Sequence, residues 1–164
     1  MDEGHDLLLA VGSDVTEEMR DLAAELGVDV EPAGMVVRDH FHHDGIKGPS
    51  VIAAGKTIDT RAVFDKAITA PIMYEGVGMS VAVESELVLR GLVAHPSAVV
   101  KGSAAAGEVL AGEDIVLVAL VQARNNARAV VSGSLSLFSN AAFRSPVVTN
   151  NMQSCVGIDI RVFF

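Results

Sequence analysis

Aromatic side chains are scarce in this chain of 164 residues, which has six Phe, one Tyr and no Trp. Half of the chain is nevertheless hydrophobic, so its core must be built mainly from Ala, Val and other aliphatic side chains. That supply of aliphatics excludes an intrinsically disordered chain. Cysteine is nearly absent. A lone Cys155 cannot close an internal disulfide or form a thiolate metal cage, and a buried or incidental thiol is its plain reading. Basic residues are few and scattered. Twelve Lys and Arg stand against 21 Asp and Glu, a net charge of −9, and this excludes a nucleic-acid partner, whose phosphates require clustered cations. Long apolar runs are missing too. No segment approaches the roughly 20 apolar residues of a membrane-spanning helix, and the acidic start MDEGHD has neither the basic nor the apolar region of a secretory signal. On these features alone the chain reads as a soluble cytosolic domain.

What is present is a succession of short apolar segments. Asp6 to Val11 (DLLLAV) suits a buried strand. Gly12-Ser13 breaks it, and Asp14 with Glu17 three residues on has capping-box spacing for a helix. Val15, Met19, Leu22, Ala23 and Leu26 then recur at helical intervals up to Gly27, a good C-terminal cap, and Val28 to Val30 is a short strand. Strand–helix–strand is the building block of α/β folds. Further strands are expected at Met35–Val37 and Val51–Ala54, with the polar loop Arg38–Pro49 between them. Thr57–Ala70 fits no single pattern. Pro71–Val83 is extended, with Gly76 and Gly78 marking a bend or bulge. Glu84–Leu92 is expected to be a short helix and Lys101–Gly112 a loop. Asp114–Gln122 (DIVLVALVQ) is the strongest strand pattern, and Ala129–Ser134 is its partner across the polar turn ARNNAR. No internal repeat or domain-splitting linker is visible.

Few constellations could carry chemistry. Asp39-His40-Phe41-His42-His43-Asp44 offers metal-type ligands, and a metal-binding module built on His40, His42 and His43 is one reading. Adjacent loop residues rarely converge on one ion, so a solvated polar loop is the alternative. Gly12-Ser13-Asp14 sits between strand and helix, where α/β folds bind anions, but Asp14 disfavours a phosphate and the glycine-loop spacings are absent; capping is its plainer role. There is no G-x-S-x-G elbow. A triad of Ser13, His95 and an Asp can be assembled only on paper. Arg124-Asn125-Asn126-Ala127-Arg128 places two Arg around two Asn. The pair could bind an anion, or the segment could simply satisfy a turn.

The stretch Leu120 to Phe138 (LVQARNNARAVVSGSLSLF) closely resembles the luminal domain of the oligosaccharyltransferase 48 kDa subunit family, which carries an apolar strand ending in QARNNAR, a second strand, then SGS and a Phe-containing segment. Gly76-Val77-Gly78-Met79, the helix region Ser13–Gly27, Asp39-His40 and Leu87-Val88-Leu89 resemble further family blocks in the same order. The resemblance covers about Leu7 to Pro146.

The resemblance implies an α/β fold, an incomplete doubly wound sheet of glutamine-amidotransferase or flavodoxin type flanked by helices. Residues 1–146 would be part of the N-terminal luminal domain and residues 147–164 a divergent tail. Members of the family extend upstream, with a signal peptide and the domain's first strands and helices, and downstream into a β-rich region and one membrane helix. The implied function is that of a non-catalytic subunit of the complex that moves a preassembled glycan from dolichyl diphosphate to Asn in Asn-X-Ser/Thr, located on the luminal side of the endoplasmic reticulum membrane. Other subunits of the complex are the implied partners. Catalytic residues, cofactor and metal are implied to be none, and neither nucleic acid nor a small-molecule substrate is expected on this chain alone. Gln122, Arg124, Asn125, Asn126 and Arg128 are the implied structural or subunit-contact residues. The competing readings are a stand-alone α/β hydrolase or amidotransferase-like enzyme, and a truncated product without function.

Overall fold

Strand 116–122 is the residue run around which the remaining elements are arranged. The computed structural model describes residues 4–45, 47–54, 56–57, 72–82, 87–102, 110–123, 125–140 and 142. Their elements run β1 (Leu7–Ala10), α1 (Glu17–Glu25), β2 (Val28–Val30), β3 (Val36–Arg38), β4 (His43–Asp44), β5 (Gly48–Ala54) and β6 (Lys56–Thr57). They continue with β7 (Ile72–Tyr74), β8 (Met79–Val81), β9 (Val88–Val93), β10 (Val99–Lys101), β11 (Val116–Gln122) and β12 (Arg128–Ser132), with single 3-10 turns at Gly112–Asp114 and Ser136–Phe138.

β11 is flanked on one side by β12 and on the other by β9 and β8, and β1, β2 and β6 complete a seven-stranded sheet. Two smaller sheets, β10–β3 and β4–β5–β7, accompany it. Every residue of β11 before Gln122 is buried. One cluster of apolar side chains takes Ile115, Leu117, Val118 and Leu120 together with Val37, Ile52, Tyr74, Leu92 and Val100. A second takes Val116, Ala119 and Val121 with Leu9, Val15, Ala23, Val28 and Met79. A strand covered on both faces reads as a continuous aliphatic run rather than an alternation, which is why DIVLVALVQ stands out. The alternation also slips. Leu117 and Val118 join the same cluster, and the pairing of β11 with β9 shifts register on either side of Val118, as a β-bulge requires.

The mixed α/β class is therefore the observed one, with a curled open sheet and one α-helix among the described residues. A doubly wound, flavodoxin-like sheet is not confirmed: β1–β12 is parallel and the other described pairings are antiparallel. Strands β1, β2, β3, β5, β11 and β12 lie where the apolar runs place them. Glu84–Leu92 departs from expectation. From Val88 on it belongs to β9, a strand and not a helix, because Val88, Leu92 and Val93 bury against β11; tertiary packing overrides a weak helical period. Helix α1 begins later than expected. Thr16, not Asp14, is its N-cap, and no side chain caps it; Glu17 and Glu18 instead supply negative charge to its first turn. Gly27, at φ 79°, ends it as expected. Met19 and Leu22 on its predicted apolar face remain exposed, while Ala23 is fully buried. Most of the ambiguous stretch Thr57–Ala70, part of the Lys101–Gly112 loop, Arg124, Phe143, Cys155 and the tail 147–164 lie outside the described residues.

The predicted bend at Gly76 and Gly78 joins the sheets. Val77 N–H donates to Gly133 O (2.9 Å), and the buried Tyr74 hydroxyl donates to Val77 O (2.5 Å). Burial raises the Tyr74 pKa well above its ordinary value, so the phenol stays a neutral donor. A Cβ on Gly76 would collide with the Gly133 carbonyl, and one on Gly78 would stand 2.7 Å from Val100 Cγ2.

Leu117→Ala, at a fully buried position, is expected to cost about 2–5 kcal/mol, and Gly76→Ala about 2–4 kcal/mol through its backbone clash. Leu89→Ala, at a 46% exposed position, should cost under about 1 kcal/mol. Urea unfolding of the three variants checks the ranking.

Candidate functional site

Two regions of the described structure combine chemistry-bearing side chains with defined geometry. The first is the turn between β11 and β12. Ala123 N–H donates to Ala127 O (2.8 Å), and Asn126 N–H donates to Ala123 O (3.1 Å). Asn126 adopts φ 66°, the left-handed region that Asn tolerates better than most residues. Asn125 Oδ1 accepts from Ala127 N–H (3.1 Å), and Gln122 Nε2 donates to Asn126 Oδ1 (3.3 Å). Arg128 pairs with Gln122 across the ladder, and its backbone N–H donates to Asp6 Oδ1 (2.8 Å). The turn thus accounts for both Asn residues by backbone geometry. The structure brings Gln122, Asn125, Asn126 and Arg128 together at one exposed end of the hairpin.

The second is a polar cluster created by strand pairing. β3 and β10 are antiparallel, with Arg38 opposite Val99, so the residue after β3, Asp39, meets the residues before β10. There His95 O accepts from Ala98 N–H (2.9 Å) in a turn that carries Pro96 at its second position, where Pro is favoured. Asp39 is 1% exposed. Its Oδ1 accepts from the backbone N–H of Phe41 (2.8 Å) and His42 (3.0 Å), and its Oδ2 accepts from Ser97 Oγ (2.7 Å). Ser97 Oγ also lies 2.9 Å from His95 Nδ1 and 3.1 Å from His42 Nδ1. The two imidazoles face each other with ring centroids 3.6 Å apart, and His42 Nδ1 is 3.5 Å from Asp39 Oδ2. Burial raises the Asp39 pKa, but the Ser97 hydroxyl, the Phe41 and His42 amides and the His42 ring outweigh it and hold the carboxyl below its ordinary value.

This cluster is not a hydrolytic triad. A triad places the imidazole between hydroxyl and carboxylate, using its two nitrogens for the two partners. Here the hydroxyl stands between imidazole and carboxylate, and one His42 nitrogen faces both. Ser13, the serine of the paper triad, lies elsewhere. It lines a cleft of about 350 Å³ with Gly12, Asp14, Glu75, Gly76 and Ser136, whose two carboxylates disfavour an anion. Of the histidine run Asp39–Asp44, only Asp39 and His42 join the cluster. His40 is exposed, and His43 Nδ1 contacts Asp44 O (2.9 Å). Sequence reasoning missed Ser97 and the role of His95. The available signal was the His-Pro-Ser turn preceding a Val-Val strand.

The fold and sites define a class first, a mixed α/β domain with a doubly covered central strand. It is shared in outline with the solved mmIFT52 N-terminal domain, at TM-score 0.59 and 17% identity over 85% of this chain and 57% of that chain, a likeness of fold alone. Sequence comparison is more specific. The family described as "OST48, N-terminal domain" matches residues 1–157, and the chain belongs to this family. Dolichyl-diphosphooligosaccharide–protein glycosyltransferase 48 kDa subunits resemble it at 37% identity in Arabidopsis thaliana (90% of this chain, 36% of the relative). In Caenorhabditis elegans the figure is 32% (95% of this chain, 37% of the relative), and in Drosophila melanogaster 32% (90% and 35%). The chain spans about a third of the length of these curated relatives.

Asp39→Ala strands two backbone donors and one hydroxyl and is expected to cost about 2–4 kcal/mol at neutral pH. Because the Asp39 pKa is depressed on folding, its contribution is present above the unfolded carboxylate value near 3.9 and lost as pH falls through the lower folded value. The acid limb of a Tm-against-pH curve should therefore be shallower in Asp39→Asn than in the wild type. At the hairpin, Asn126→Ala should cost about 1 kcal/mol and Asn126→Gly less, as measured by denaturant unfolding.

Proposed function

We propose that this chain acts as the N-terminal luminal domain of an oligosaccharyltransferase 48 kDa subunit, a non-catalytic member of the complex that glycosylates Asn in Asn-X-Ser/Thr. The carrying observation is the family match over residues 1–157 together with 32–37% identity to curated 48 kDa subunits over at least 90% of the chain. Its partners on this reading are the other subunits of that complex, and its place is the luminal side of the endoplasmic reticulum membrane. None of the described helices is long and apolar enough to cross a membrane, so membrane attachment is not a task we assign to them.

A contact role for one segment is supported by the chemistry of its surface. Gln122, Asn125, Asn126 and Arg128 are exposed at one hairpin end, held on a rigid ladder whose remaining residues are buried. Rigid presentation limits the side-chain ordering that association costs. An arginine on such a support can make bidentate contacts with a partner carboxylate. Arg124, of the same segment, belongs to the proposal on sequence grounds. The stand-alone hydrolase reading has no comparable support, since the one described Ser–His–Asp cluster has the wrong order of contacts.

The test is co-purification. The tagged chain, directed to the endoplasmic reticulum by an added signal peptide, is expected to bring down the other oligosaccharyltransferase subunits. Arg124→Ala or Arg128→Ala should lower their recovery about threefold to tenfold, as for an interface hot spot, or else lower the stability of the chain. Recovery of a folded wild-type chain without any other subunit would overturn the assembly role. Unchanged stability and unchanged recovery in both Arg variants would overturn the assignment of this segment.

A further inference from the structure

The Asp39 cluster has a use that subunit assembly does not require. One ligand-type atom from each of Asp39, His42 and His95 lies within 4.8 Å of the other two. We propose that these three side chains form a binding site for a divalent transition-metal ion of the zinc class.

The argument is geometric. Tetrahedral zinc with Zn–N and Zn–O bonds near 2.1 Å holds its ligand atoms about 3.4 Å from one another. His42 Nδ1 and Asp39 Oδ2 are already 3.5 Å apart. Both imidazole Nδ1 atoms and the same carboxylate oxygen converge on one point, marked by Ser97 Oγ at 2.7, 2.9 and 3.1 Å from them. A hydroxyl that contacts three metal-type donors at once occupies the position an ion would take. Each donor atom would need to move in by less than about 1 Å to reach bonding distance, and the two imidazoles, whose centroids are 3.6 Å apart, would turn apart to aim both lone pairs at the ion. Rotation of the Ser97 side chain vacates that position.

The supporting groups suit the task. The carboxylate is oriented through its other oxygen by two backbone N–H groups, the outer-shell fixing that metal ligands generally receive. Asp39 is fully buried, whereas His42 is 45% exposed at its side chain, so an ion has a path from solvent. Two nitrogens and one oxygen select zinc and its neighbours over magnesium or calcium, which prefer all-oxygen shells. Three protein ligands leave a fourth position for water. The ligands come from the ends of β3 and β10, 56 residues apart between Asp39 and His95, so an ion there would clamp the two strands.

The test uses the full chain stripped with a chelator and titrated with Zn²⁺ against a chromophoric competitor. One Zn²⁺ per chain is expected. A hundredfold excess over Kd should raise Tm by about 5–10 °C, and Mg²⁺ at the same concentration should not. His42→Gln and His95→Gln should each weaken zinc binding by about 100-fold or more, since even outer-shell changes cost 10–100-fold. Ser97→Ala, which removes the competing hydroxyl, should leave it within about threefold, and so should His40→Gln outside the cluster. His42 is half exposed, so its variant keeps the test valid should His95→Gln fail to fold. No saturable zinc binding, or equal binding by wild type and His42→Gln, would overturn the site. Neither result bears on assembly with other subunits, which co-purification reads separately.

Discussion

Burial of β11 on both faces is the constraint on which the rest of this structure depends. Its aliphatic side chains feed two apolar clusters at once, and its neighbours β9 and β12 also contribute to both, so neither can leave without uncovering them. Among the described residues, Tyr74 is the one aromatic side chain in either cluster of buried residues. Area is gathered instead from many small branched side chains, each contributing on the order of 1–2 kcal/mol. Such a core depends on close approach of backbones, and the glycines at 76, 78 and 133 permit it where a single methyl group would meet a carbonyl or a neighbouring valine.

The same strand arrangement creates the polar sites. The β11–β12 ladder ends in a turn that carries two asparagines, and the exposed polar side chains of that hairpin gather at this tip. The β3–β10 pairing carries Asp39 beneath a His-Pro-Ser turn, where a buried carboxylate survives because three donors and a histidine ring favour its charged form. Neither site was designed by local sequence alone. The first is one contiguous turn fixed by the ladder it closes, and the second is a meeting of distant chain segments.

That distinction separates what was legible from what was not. Strands β1, β2, β11 and β12 were readable because their patterns are strong and local, and QARNNAR was readable as a turn because Asn suits left-handed backbone. Strand β9 was not, since LVLRGLV carries a faint helical spacing and only its partner β11 decides the matter. The helix cap was misplaced by two residues, because Asp14 offered a capping side chain that the chain does not use. The Asp39 cluster was half legible. The histidine run drew attention, but the two of its members flanking His42 point elsewhere, and His95 arrives from a segment more than fifty residues away that no spacing rule connects to it.

The parallel pairing of β1 with β12 sets Leu7 beside Ala129 and Ala10 beside Ser132. Among the described strands, the hydrogen-bonded neighbour of β1 is thus β12, which follows it by more than a hundred residues. Until β12 is made, its edge and its leucines stand open to any other extended chain. Synthesis of this domain thus includes an interval, set by the time needed to translate well over a hundred residues, in which β1 is best kept apart by a chaperone. Contacts of such long range also place the domain among slow folders.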